Sequence, residues 1–149
     1  MPNNAYRVAI TYFILFSLLL LGSGIWIFAH KIGFSYESVL HYYTGDAAAF
    51  EAPKTYEGML KTILPHIFAF GLFVMVVLHF VIFTAKRNTK EFQFLIYLAF
   101  TTAFFELFSP FIILWGFHFF AYIKIISFFL FEGSILYTLF ILLKSILYN

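Results

Sequence analysis

Five histidines, His30, His41, His66, His79 and His118, and two glutamates set in apolar runs, Glu106 and Glu132, are the residues of this chain best suited to chemistry. There is no cysteine, which excludes disulfides, thiolate metal sites, thioether-attached haem and cysteine nucleophiles. Imidazole and carboxylate remain, and together they suit a haem, a transition metal, a proton or a quinone headgroup. A bis-histidine haem b takes one imidazole on each face of its ring, normally from two helices. His66 paired with His30 or His118 is the expected ligand set for such a haem, or for a metal ion, with Glu106 as a proton or quinone contact. His66 and His79 are thirteen residues apart, a rotation of about 220° along a helix and a rise of about 20 Å. They face different ways, so two stacked haems on one helix are not expected unless Gly71 permits a local distortion.

Glu106 has a second feature. Pro110 follows four residues later, so the amide that would bond the Glu106 carbonyl is missing, and carboxyl and freed carbonyl coincide. Ser109 is the nearest internal substitute. Lys124 falls close to a helix end, where extension of its amine to the interface is expected. Glu132 lies deeper, where a protonated carboxyl hydrogen-bonded to a neighbouring helix is the simplest arrangement. Ser23, Ser109 and Ser127 have no local histidine and acidic partners. Nor is there a glycine-rich phosphate loop or a zinc-protease motif, so hydrolase and kinase chemistry is not expected.

The elements that position these residues are four apolar stretches, 8–29, 65–83, 92–114 and 122–142. Each matches the ~20 residues that a helix needs to cross ~30 Å of hydrocarbon. Hydrophobic residues make up 63% of the 149, and charged residues only 11%, too few to cover a water-soluble surface. In lipid the backbone must satisfy itself within each run, which an uninterrupted run does only as a helix. The expected fold is therefore an all-α membrane protein: a four-transmembrane-helix up-down bundle forming one membrane domain over 1–149. Short second and third connections make neighbouring spans antiparallel. A net charge of +2, with no basic run interleaved with aromatic residues, argues against nucleic acid as a partner.

Lys86, Arg87 and Lys90 crowd the second loop, and Arg7 and Lys144 lie on the same side. By the positive-inside rule that side is the cytoplasm, which gives a multi-pass inner-membrane protein with both termini cytoplasmic. The first span lacks a clean small-x-small cleavage site and is read as a retained helix. Tyr12, Trp26, Trp115, Phe119, Tyr122 and Tyr148 fall near span ends as interfacial anchors. The outer loop, 31–62, is the only sizeable extramembrane element. Tyr36, Val39, Leu40 and Tyr43 recur at helical spacing, with Ser35 to cap the start and Gly45 to end it. Thr55 caps a second start with Glu57 in its first turn. The membrane crossing itself is expected to begin near Pro65, which costs little at a first helical position. His66 would then stand at the positive helix end, which keeps its imidazole neutral for a metal. His30, His41, His66 and His118 would all lie on the outer side.

The stretch His41-Tyr42-Tyr43-Thr44-Gly45-Asp46, then Pro53-Lys54-Thr55, then His66 and His79, resembles a group of small uncharacterised four-helix inner-membrane proteins of proteobacteria. The likeness covers about 36–135. Leu64 stands where that group tends to carry the first histidine of a His-x-His pair, so only His66 of the pair is present. The resemblance implies an architecture and no activity. Three functions fit the residues: a redox-chain protein holding one haem b or metal on its outer side, exchanging electrons with a quinone, a periplasmic carrier or a larger respiratory complex; a non-enzymatic accessory or assembly subunit; and a proton- or ion-coupled carrier working as an oligomer.

Overall fold

A computed structural model describes residues 4–46, 49–84 and 86–148. The described residues form five helices: α1 (Asn4–Lys31), α2 (Tyr36–Thr44), α3 (Tyr56–Val81), α4 (Lys90–Leu114) and α5 (Phe120–Tyr148). Four of them, all but α2, are long and apolar enough to cross a membrane. No strand occurs among the described residues beyond one isolated bridge between Asp46 and Glu51. This is the all-α four-span bundle that the hydropathy pattern predicts.

The start signals behave as expected in the loop. The Ser35 hydroxyl accepts from the Ser38 amide and Ser38 returns a bond to the Ser35 backbone, a reciprocal capping box. Thr55 accepts from the Gly58 amide and opens α3, with Glu57 in the first turn. Gly45 ends α2 at φ 79°, and a side chain there would meet the Glu51 carbonyl oxygen at 2.4 Å. Only glycine fits that turn.

Pro65 corrects one expectation. It is the tenth residue of α3 rather than its start, and His66 is the eleventh. The Thr55 cap has already nucleated the helix, so Pro65 forfeits one backbone bond inside it instead of saving one at its end. His66 therefore does not benefit from the positive end of a helix.

Helix α5 is the hub. It packs against α1, α3 and α4, and against α2 at one end. Of its span 56% is buried, against 22% in α1 and α3, so those two present most of their surface to the surroundings. The adjacent spans α3–α4 and α4–α5 pack together, as short connections require. At the basic end an apolar core gathers Ile10, Val77, Val81, Leu139 and Leu142, and Arg7 donates to the Ile146 carbonyl to tie α1 to the end of α5. At the opposite end a second core gathers Val39 and Tyr43 from α2, Met59 and Ile63 from α3, Leu107 and Ile113 from α4, and Ala121 from α5. Helix α2 thus lies as a cap across the ends of α4 and α5. Tyr12, Trp26, Trp115, Phe119 and Tyr122 are exposed near span ends, while the Tyr148 side chain lies outside the described residues.

Candidate functional site: a buried lysine and two carboxyls

The charged residues of the span interiors converge beneath α2. Lys124, in α5, is 5% exposed and Glu106, in α4, 8%. The ammonium donates to the Glu106 carboxylate and, at 2.7 Å, to the Glu106 backbone carbonyl. That carbonyl is the one Pro110 deprives of its amide, so a lysine replaces the missing N–H. Ser109 does not fill the gap, because its hydroxyl donates to the Phe105 carbonyl instead. The expectation that Lys124 extends to the interface is corrected: its amine is buried and turned onto Glu106 of α4. The Phe28 ring of α1 flanks the ammonium at 5.9 Å, within range of a cation–π contact.

Glu132 is the thirteenth of the 29 residues of α5, close to mid-span. It is 7% exposed, and its Oε1 packs where α1 has no side chain, 3.3 Å from the position a Cβ on Gly24 would take. One carboxyl oxygen of Glu106 and one of Glu132 are buried without any hydrogen-bond partner. Glu106 lies within electrostatic reach of Glu132, of His66 on α3 and of Tyr43 on α2. Tyr43 itself is buried in the cap, and burial, reinforced by the Glu106 charge and by Tyr42, pushes its phenol well above the ordinary tyrosine value. It stays an uncharged cover.

Gly24 makes a direct test of this packing. Gly24→Val drives a side chain into the Glu132 carboxyl, and overpacking of this kind costs about 1–3 kcal/mol. Thermal unfolding in detergent should show that loss, with Gly22→Val, where a Cβ meets nothing within 4 Å, as the harmless control.

All five histidines are exposed, and only His66 is within electrostatic reach of Glu106. His30 ends α1, exposed, with Nδ1 2.9 Å from the Trp26 carbonyl and its ring stacked on Trp26. His66, also exposed, holds Nδ1 2.6 Å from the Thr62 carbonyl and meets Phe70 edge-on. His118 sits in the connection between α4 and α5, exposed. Among the described residues no three histidine or acidic side chains gather as a metal site. Of the residues singled out by sequence, Glu106, Glu132 and Lys124 are drawn into the built site, with His66 at its margin. Lys124 as the partner of Glu106 is the residue sequence reasoning missed. The two are 18 positions apart and centred on the α4–α5 turn, so antiparallel pairing places them at the same depth.

A family model described as a transmembrane helical domain (Aq_1264_TM) matches residues 33–149, which takes in α2, α3, α4, α5 and all three charged residues of the cluster. The chain belongs to this family. It is a small multi-pass transmembrane protein in contact with the lipid bilayer. No curated protein and no solved structure matches it.

Proposed function

We propose that this protein moves protons across the membrane through its bundle core, with Glu132 as the group that takes up and releases the proton. The observation that carries this reading is a charge imbalance in a dry place. The bundle core holds two carboxyls and one ammonium, all three more than nine-tenths buried, and Lys124 is committed to Glu106. A charge inside a span costs ~2.5–3.5 kcal/mol by insertion scales, so the cluster must acquire one more positive charge to be neutral. Glu132, with an oxygen that no protein group satisfies, is where a proton fits.

The distribution of the other unsatisfied groups supports the reading. Buried polar atoms without a partner occur at Glu106, Glu132, Ser17 and Tyr6. On α1, Tyr6, Ser17 and Gly24 are separated by eleven and seven residues, spacings that return to the same helix face. Glu132 packs at Gly24 on that same face, so we read these groups as a seam from beneath α2 to the basic end. Buried hydroxyls of this kind are satisfied by water. A cavity of about 40 Å3 beside Tyr6, bordered by Thr84 and Ser145, has room for one. The positive-inside rule makes the basic end cytoplasmic, so the seam would join α2 on the outer face of the inner membrane to the cytoplasm.

Proteoliposomes loaded with a pH-sensitive dye test this. With a potassium diffusion potential set by valinomycin, wild-type vesicles should acidify faster than protein-free vesicles, and Glu132→Gln should return the rate to that of protein-free vesicles. Equal rates for wild type and protein-free vesicles would reject the proposal.

The exposed histidines favour a second reading, a haem b or metal held on the α2 side as part of a redox chain. His30 and His66 each tie Nδ1 to a carbonyl one turn back and leave Nε2 facing outward, the arrangement in which an imidazole is oriented for ligation. An oxidised and dithionite-reduced absorption spectrum of the purified protein decides it. A haem band that disappears in His66→Ala supports this reading, and the absence of any band sinks it.

A further inference from the structure

On the basic-end half of the bundle the α4–α5 seam opens sideways toward the bilayer as a groove of about 330 Å3, a volume typical of small-molecule sites. Phe94 and Leu98 of α4 and Phe129 and Leu130 of α5 form its walls, and Gly133 leaves its floor open. A Cβ at Gly133 would meet nothing within 4 Å, so a larger side chain there would extend into the hollow. The groove is almost wholly apolar except at one end. There Tyr137 donates to Glu91, and Lys86 pairs with the same carboxylate.

Glu91 thereby neutralises Lys86 and leaves other cations at the mouth uncompensated. Lys90 lies one helical turn before Phe94 on the same face of α4, and Lys144 lies two turns after Tyr137 on the same face of α5. Both are exposed, and neither has an acidic partner among the described residues. An occupant must therefore be apolar along its length, reach the groove through the hydrocarbon and carry a negative charge at the level of the headgroups.

We propose that the α4–α5 groove holds one acyl chain of an anionic glycerophospholipid from the leaflet at the basic end, with Lys90 and Lys144 receiving its phosphate. Charge complementarity selects this occupant. A zwitterionic lipid fills the same hollow but gains nothing from two unpaired ammonium groups, and basic pockets between membrane helices characteristically take anionic headgroups. The site is distinct from the Lys124–Glu106 pair, which lies toward the other end of α4.

Delipidated protein in detergent, offered dioleoylphosphatidylglycerol or dioleoylphosphatidylcholine, is then examined by native mass spectrometry. Wild type should retain the phosphatidylglycerol with roughly thirtyfold preference, the size expected of two interfacial lysines. Gly133→Leu fills the hollow and should abolish retention of both lipids. The surface double variant Lys90→Gln/Lys144→Gln, which leaves the core untouched, should keep binding but lose the preference. Equal retention of the two lipids by wild type, or unchanged preference in the double variant, would overturn the proposal. So would a disulfide between two copies of Gly133→Cys, the sole cysteine in that chain, because it would place a second copy in the groove.

Discussion

Lys124→Met should be the most damaging single substitution in the bundle, with a loss of about 3–5 kcal/mol, the range for removing one partner of a buried ion pair. Two bonds vanish together, one to the Glu106 carboxylate and one to the carbonyl that Pro110 leaves without an amide. The double variant Lys124→Met/Glu106→Met should recover most of the loss, because no uncompensated carboxylate then remains. Denaturant unfolding in micelles, followed by circular dichroism, measures both. A carboxyl can shed its charge by binding a proton, so the penalty of the single variant should shrink as the buffer is acidified. A single-variant loss below about 1 kcal/mol at neutral pH would place the pair in the class of surface ion pairs and contradict its burial.

The second large effect concerns the number of protons in the core. With one ammonium against two carboxyls, the wild-type cluster is neutral with one carboxyl protonated. Glu132→Gln removes the group proposed to carry that proton. Glu106→Gln removes the fixed partner of Lys124, and Glu132, as the only carboxylate left within the cluster, must then balance the lysine. Either substitution leaves one ammonium against one carboxylate and no proton to exchange. The infrared band of a buried protonated carboxyl should therefore be present in wild type and absent from both variants. Its persistence in Glu132→Gln would remove the basis of the transport reading. The titratable neighbours that bear on this band are Lys124 on α5, His66 on α3 and Tyr43 on α2. His66→Ala and Tyr43→Phe are the controls that separate their influence.

Much of the architecture was legible because lipid simplifies the rules. An apolar run that must satisfy its own backbone has one solution, so the four spans, the short helix capped by Ser35 and the α3 start at Thr55 all follow from local patterns. Pro65 was misleading because proline fits two opposite places, a helix start and a tolerated interior position in a membrane helix. Local sequence does not say which, and the Thr55 cap upstream decides it. The candidate site was half legible. Glu106 and Pro110 announced a carbonyl in need of a donor, but the donor lies on another helix. Lys124 is expected at the interface by a rule that assumes no nearer partner, and its capture by Glu106 of α4 is a tertiary event that no window of sequence contains. The open groove at Gly133 has the same origin, since it is a property of two helices side by side.

The central position of α5 has a consequence for biogenesis. The ribosome makes this helix after the other four, so α1, α3 and α4 emerge into the translocon before the element they pack on exists. Until then Glu106 has no lysine to meet, and α4 must wait in or beside the protein-conducting channel with an unmet polar group. Closing the α4–α5 hairpin supplies the lysine, and the earlier helices then close around its second arm. Assembly of this bundle thus waits on α5, after the helices it joins have been made.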